Sequence, residues 1–458
     1  MGLTRDDDVR IAHSRDASGL QLIPQAVARA TGAEEVAEIL RASNDAGEPV
    51  TAAGSQTSMT GASISDRGTL LSLASMKQVV DVDVVNRIAT VQPGITIGEL
   101  NNSIRDSGLH FAPDPTSEND ATIGGAIACN ASGARTLRYG PTRRHVLGVT
   151  VVHANGATER YARPSLEKNT VGYAMAQNPV DWFVGSEGTL GIVVEAQLSL
   201  EPLPEQLIGL AVPFASLSDA LAFVVDCRRE LDRPGGRKPQ CLELFDREAL
   251  VIAGAASSRP WDASAQAVIY LEDDASGDTP DSTLDEWLAL AEAQRAIIAD
   301  IRVFQGAQSL RDARVMRHAV PSRMNETGAR YIAAGGRKVS TDWAVPFHQL
   351  GDALAFSRDV TMKHGAPDPV TYGHAGNGHP HQNYIAANAD DLARVHRAVE
   401  ETLRQVVHIG GTVSAEHGLG KLKKEWLALQ MPSRGIDAMR ALKHALDPKG
   451  ILAPGNIL

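Results

Sequence analysis

Apolar residues recur along this chain with two different periods, and the switches between them outline its elements. From 33 to 46 the run Ala-Glu-Glu-Val-Ala-Glu-Ile-Leu-Arg-Ala-Ser-Asn gathers its apolar side chains on one stripe, which predicts an amphipathic helix. Glu48-Pro-Val-Thr-Ala-Ala53 then reads as a short strand running into Gly54. Further strands are predicted at 69–73, 88–91, 146–153 and 192–200, bounded by Gly, Asn and Asp turn signals. Helical spacing returns between them, at 97–107 for example. Roughly the first 200 residues therefore predict a mixed α/β unit crowded with glycine loops.

Glu201-Pro-Leu-Pro204 reads as a linker. Beyond it, 217–231 and 283–300 predict helices, and 266–271, 343–345 and 369–372 predict strands. A helix over 389–409 should stop at Gly410-Gly411. The tail, Leu446-Asp-Pro-Lys-Gly-Ile-Leu-Ala-Pro-Gly455, is turn-rich and apolar, so it is expected to dock on the rest of the protein. Tandem repeats and low-complexity segments are absent.

Composition narrows the picture. At about 150 residues per domain, a chain of 458 residues predicts two or three domains. A net charge of -11 argues against non-specific nucleic-acid binding. The three cysteines, Cys129, Cys227 and Cys241, form no C-x-x-C pair, which argues against a disulfide framework or a chain-borne iron–sulfur cluster. No run approaches the ~20 apolar residues of a membrane span, and the opening residues lack the apolar stretch of a signal peptide. A cytoplasmic protein is expected, with peripheral attachment at a membrane left open.

Two segments concentrate the chemistry. Tyr372-Gly-His374-Ala-Gly-Asn-Gly-His379-Pro-His381-Gln-Asn383 packs three histidines into eight residues, and Ser414-Ala-Glu416-His417-Gly-Leu-Gly420-Lys421 sets a carboxylate beside an imidazole. Two imidazoles plus one carboxylate make an open divalent-metal site with a position left for a substrate oxygen. His417 remains to move a proton. Two long loops rich in Gly, Ser and Thr, 53–62 and 115–133, offer backbone N–H groups to an anion such as phosphate. Neither fits G-x-G-x-x-G or the P-loop pattern.

Taken in order, Gly54 through Gly61, Thr122-Ile-Gly-Gly125, Leu137-Arg-Tyr-Gly140 and Gly185-Ser-Glu-Gly-Thr-Leu-Gly191-Ile resemble the FAD domain of the vanillyl-alcohol oxidase superfamily. His374, His381, Glu416-His417 and the late Asp447-Pro448 resemble its FAD-linked oxidase C-terminal cap. Within that superfamily the chain is most similar to D-lactate dehydrogenases, D-2-hydroxyglutarate dehydrogenases and the flavin subunit of glycolate oxidase. The resemblance implies an α+β fold, with a PCMH-type two-subdomain FAD domain over 1–204 and a ferredoxin-like antiparallel-sheet cap over 205–440. Residues 441–458 would dock back on the FAD domain.

The resemblance also implies roles. FAD would lie against Ala53, Gly54, Ser55, Gln56, Thr57, Ser58 and Gly61. It would also meet Pro115, Thr116, Thr122, Gly124, Gly125, Asn130, Ser132, Gly133, Gly188 and Ile192. Histidine is missing between His13 and His110, so FAD is expected to be non-covalent. His374, His381 and Glu416 match the metal ligands, with Zn²⁺ expected. His417 matches the general base, and Arg317 and Asn383 match substrate contacts. Lys338 is a further candidate, although alignment on Asp342 puts Ser340 at the family's lysine.

The chain departs from its relatives elsewhere. His379 stands where they carry Asn, and so either backs a ligand or competes as one. Pro321 replaces a Thr or Ser. At Ala453 a flavin contact is lost or else supplied by Asn456. The implied reaction is oxidation of a D-2-hydroxy acid to the 2-oxo acid. Electrons would leave through an electron-transfer flavoprotein, quinone, cytochrome or iron–sulfur protein, and a homodimer is among the expected assemblies. Two alternatives are a non-redox flavoenzyme of the alkyl-dihydroxyacetone-phosphate synthase type and a non-catalytic flavin electron-transfer subunit.

Overall fold

The computed structural model describes residues 2–255, 259–275 and 279–458. It divides into two compact units, one built from 1–133, 140–203 and 416–458, the other from 134–139 and 204–415. Residues 416–440 thus pack with the first unit.

In the first unit, parallel strands Ala26–Arg29, Thr69–Ser72 and Val50–Ala53 lie side by side, with Leu3–Thr4 antiparallel at the edge. Helix Ala33–Ala46 makes the crossover connection and buries Val36, Ala37, Ile39 and Leu40. Its apolar stripe is the one the sequence shows, and Gly47 ends it in the left-handed conformation (φ 67°). A second sheet is antiparallel, in the order Val79–Asp83, Ile88–Val91, Ile192–Ser199, Val146–Val152, Thr158–Ala162. Helix Ile97–Ile104 starts with a reciprocal cap between Thr96 and Glu99. The expected linker differs: Glu201–Pro202 pairs with Leu109–His110 and so closes the unit as a short strand. The tail docks as expected, with Val50 donating to the Ile451 carbonyl at 2.8 Å and Ala453 to that of Val50 at 2.8 Å.

The second unit is one seven-stranded antiparallel sheet. Its order is Arg302–Gln305, Leu207–Phe214, Ala267–Asp274, Cys241–Asp246, Val370–His374, His379–Ala386, Arg337–Ser340. Helices Arg247–Ala255 and Gly306–Ala329 cover one face, where Met316, Val320 and Met324 pack with Phe245, Val268 and Tyr270. Helices Leu217–Asp232, Leu350–His364 and Ala389–His408 cover the other, and Ser357 donates there to Gln382 at 2.8 Å. Two expectations change here. The predicted helix over 283–300 ends at Ala293, because Arg295 turns left-handed (φ 61°) and a short 3-10 turn, Ile298–Asp300, follows. Residues 343–345 make only an isolated bridge, Ala344 to Thr412, rather than a strand.

Candidate functional site

The histidines sit on a hairpin whose register decides where they point. Val370–His374 and His379–Ala386 pair with His374 opposite His379, Tyr372 opposite His381 and Val370 opposite Asn383. Directly opposed residues share a face of the sheet. His374, His379, His381 and Asn383 therefore stand on one face, the one under helix Gly306–Ala329. Glu243, Tyr270 and Glu272 belong to it too, because Tyr372 pairs with Phe245, Glu243 with Tyr270 and Cys241 with Glu272. Gly373 (φ +117°) makes the room: a Cβ there would stand 2.8 Å from His381 Cδ2.

All three imidazoles are buried, and one ring nitrogen of each lies within 4.8 Å of the others. Ring centroids are 5.3 Å apart for His374–His379, 5.1 Å for His374–His381 and 4.6 Å for His379–His381. His374 donates from Nδ1 to Glu243 Oε1 at 2.8 Å, which fixes its tautomer and directs the lone pair to Nε2. Burial alone would raise the Glu243 carboxyl, but the neighbouring His374 and Arg317 bring it below the usual range. Asn383 donates to the Tyr372 hydroxyl at 2.7 Å, and its buried Oδ1 has no hydrogen-bond partner among the described residues. His379 Nε2 is 3.3 Å from Asp342 Oδ1 but not aimed to bond it, and it too is buried without a hydrogen bond. Converging imidazole nitrogens backed by buried carboxylates fit a divalent cation of the Zn²⁺, Co²⁺ or Fe²⁺ kind.

Arginines border this set. Arg317, half-buried on helix Gly306–Ala329, sits one residue from His318. Burial first, then Arg317 and Arg314, drive His318 down to about 4, so its imidazole is neutral. Glu272 accepts from Arg135 Nε at 3.0 Å and Nη2 at 2.9 Å, and from the Tyr270 hydroxyl at 2.9 Å. Lys338 pairs with Ile385, and Ser340 with Asn383, so both lie on the same face as the histidines. Burial lowers Lys338 to about 8, and its Nζ donates to Asn325.

The first unit builds a different kind of site. After strand Val50–Ala53, whose Ala53 carbonyl accepts from Leu73, the N–H groups of residues 55–59 donate to no acceptor among the described residues. Gln56 (φ 56°) and Gly61 (φ +77°) bend this loop. Ser58 Oγ accepts from the Thr60 and Ala62 amides, and Ser55 is exposed. Close approach is enforced at Gly54, where a Cβ would stand 2.2 Å from Thr122 Oγ1. Thr122 caps helix Ile123–Cys129 by accepting from Gly125, and Gly124 donates to the Pro93 carbonyl. Asn130 ends that helix left-handed (φ 53°).

At Gly133 a Cβ would meet the Asp114 carbonyl at 2.2 Å, which brings 130–133 against the segment holding Pro115 and Thr116. Ser132 lies between Asn130 and Gly133 on this stretch. Gly188 (φ +73°) faces open space, whereas the Ile192 side chain is in the core. Amides left without acceptors among the described residues, in bent loops rich in Gly, Ser and Thr, fit the phosphates of a dinucleotide.

The segment after Ala415 is fastened to these loops. The buried Glu187 carboxylate accepts from the Leu419 amide at 2.7 Å and the Gly420 amide at 2.9 Å, and Lys421 donates its amide to the Thr60 carbonyl at 2.9 Å. Asn456 donates to the carbonyls of Ala62 at 2.9 Å and Glu187 at 3.2 Å and accepts from Lys421, so its side chain joins loops. His417 Nε2 is 3.3 Å from Glu416 Oε1, and the His417 side chain is 20% exposed. Just before them, Ser414 Oγ and the Ala415 amide both donate to Asp342, at 2.5 and 2.7 Å, inside the second unit. Sequence reading missed Glu243, Glu272, Asp342 and Glu187. For Glu243 a signal was present, an acid flanked by apolar residues inside a strand.

Residues 203–457 match the family described as FAD linked oxidases, C-terminal domain, and residues 24–161 match the FAD binding domain. The chain is 32% identical over 453 residues to the glycolate oxidase subunit GlcD of Bacillus subtilis, covering 98% of this chain and 92% of that protein. It is 29% identical over 437 residues to a D-lactate dehydrogenase of Archaeoglobus fulgidus, covering 94% and 91%. The solved structure of an alkyldihydroxyacetonephosphate synthase shares the fold, with a TM-score of 0.73 at 17% identity over 99% of this chain and 83% of that one. With backbone cradles suited to a dinucleotide and a sheet-borne histidine site, matched along nearly its whole length, this chain belongs to the FAD-linked oxidases of the vanillyl-alcohol oxidase superfamily and binds FAD.

Proposed function

We propose that this flavoprotein oxidises a D-2-hydroxy acid to the corresponding 2-oxo acid and passes the electrons to an acceptor other than NAD. The relatives named as a glycolate oxidase subunit and a D-lactate dehydrogenase support the substrate class. The observation that carries the reading is the buried imidazole cluster, backed by Glu243 and bordered by Arg317 on one sheet face. A flavin subunit without an active site has no use for such a cluster. The likeness to the synthase concerns the fold alone.

In this reading the loops 53–61, 115–125 and 130–133, with Gly188 and Ile192, hold FAD non-covalently. His374, His381 and Glu416 hold the cation. Glu416 is one residue beyond Ala415, which Asp342 pins beside His379, and that tether supports its inclusion. Bound FAD supplies the hydride acceptor, and a bound cation supplies Lewis acidity toward the substrate hydroxyl. Arg317 pairs with the substrate carboxylate through its guanidinium fork. Lys338 adds a second positive charge on the same face. Asn383 Oδ1 orients the substrate by accepting a hydrogen bond. His417 takes the hydroxyl proton on a ring nitrogen as the C=O forms, and the Cα hydrogen leaves as hydride. Product release then leaves His417 to return its proton to water. The electron acceptor is an electron-transfer flavoprotein, quinone, cytochrome or iron–sulfur protein.

The test is anaerobic mixing of the yellow protein with D-lactate, D-2-hydroxyglutarate, glycolate, D-malate and longer D-2-hydroxy acids. One of them should bleach the flavin within the time of a turnover, while its L-enantiomer should not. Absence of bleaching across the whole panel would refute the substrate class.

A further inference from the structure

We infer that His379 is a third imidazole ligand, so that the second unit holds its divalent cation through His374, His379 and His381 together. This rests on the cation reading above and adds a residue which that reading leaves out. Strand register brings the rings together. His374 and His379 face each other across the hairpin, and His381 follows two residues on, so a rigid sheet presents all three rings to one point. No rotation of a loop is needed to bring them together.

Chemistry points the same way. His379 Nε2 is buried with no hydrogen-bond partner among the described residues, a costly state for a polar atom unless something else meets it. Its ring is nearer to His381 than any other pair in the set, at 4.6 Å between centroids. Imidazoles crowded this closely share one buried space, where a cation would be met by three ring nitrogens. A carboxylate stands behind one of the rings, Glu243 at 2.8 Å from His374 Nδ1. Such a neighbour orients an imidazole and raises its basicity toward a metal. Three imidazoles shift preference toward Zn²⁺ and Co²⁺ and away from Mn²⁺ and Mg²⁺, which favour oxygen ligands.

Two measurements on the full-length flavoprotein test this. X-ray absorption at the metal edge of the Zn²⁺-loaded wild type should count three imidazoles, and His379→Asn should reduce the count to two. Competition against a chromogenic chelator should show Zn²⁺ binding weakened roughly 100-fold or more in His379→Asn, beyond what loss of a backing group usually causes. Flavin content should stay stoichiometric.

A wild-type count of two, or a variant with unchanged affinity and unchanged Co²⁺ absorption, overturns the role of His379. In that case, loss of the cation in His374→Ala would leave the proposed function standing. If the wild type takes up no Zn²⁺ or Co²⁺ at all, the underlying cation reading falls as well. Should His379→Asn fail to fold, the wild-type count alone decides.

Discussion

The two units solve the problem of holding a ligand in opposite ways. In the first, the site is made of what is missing. Side chains are absent at Gly54 and Gly133, and the amides of residues 55–59 meet no acceptor among the described residues. In the second, the proposed site is made of what is added: imidazoles and carboxylates standing on alternate positions of an antiparallel sheet, with Arg317 on the helix that covers that face. A phosphate needs many weak donors at short range, which backbone supplies. A cation and a substrate carboxylate need a few strong groups in fixed directions, which a sheet face supplies. Substitutions in the two units should therefore fail differently, one losing colour and the other losing chemistry.

The largest expected effect falls on chemistry alone. His417→Ala should slow anaerobic bleaching by roughly 10²- to 10⁴-fold, the usual span for a general base. Flavin should stay bound, because Glu187, Thr60 and Asn456 fasten that segment through its backbone and through Lys421. Stopped-flow absorbance reads this directly, and near-normal bleaching would show that another group takes the proton.

Next comes loss of colour. Gly54→Val forces a side chain against Thr122 Oγ1, which cannot swing aside without abandoning the cap of helix Ile123–Cys129. Overpacking of this kind costs about 1–3 kcal/mol. The expected result is protein purified with most of its flavin missing, while His374→Ala remains yellow. A fully loaded Gly54→Val protein would break the contrast between the units.

Arg317→Met should lower kcat/KM by about 10- to 100-fold, as expected for one hydrogen bond to a charged group of about 1.5–3 kcal/mol. Most of the change should appear in KM, measured by steady-state kinetics with an artificial acceptor. An unchanged KM would remove Arg317 from the substrate.

The smallest effect concerns Lys338. Burial lowers it to about 8, so it is cationic below that pH and loses its charge above. Attraction for a substrate carboxylate should fade as pH rises through about 8, and kcat/KM should fall with it. Lys338→Gln should be modestly slower at neutral pH and lack that alkaline limb. A limb that persists in the variant assigns the titration to another group.

Part of this was legible from residues alone, and the reasons are local. The helix at 33–46, with its stripe and its terminal Gly47, is set by spacing and by a residue that tolerates φ > 0. The glycine loops and the three histidines stand in short contiguous segments, so their chemistry is visible without folding the chain. The break after Ala293 and the pairing of Glu201–Pro202 were not legible, because propensity does not report a left-handed arginine or a distant strand partner.

By itself, then, the sequence determined the two families of motif, the cofactor class and the residue types at the histidine cluster, because each is encoded within about a dozen neighbouring positions. Only the tertiary structure decided which side chains meet. Glu243 reaches His374 across 131 positions, and Asp342 comes to His379 across a sheet edge. Contacts of that kind follow from strand order and register, which are fixed by packing of the whole sheet and leave no trace in any one segment.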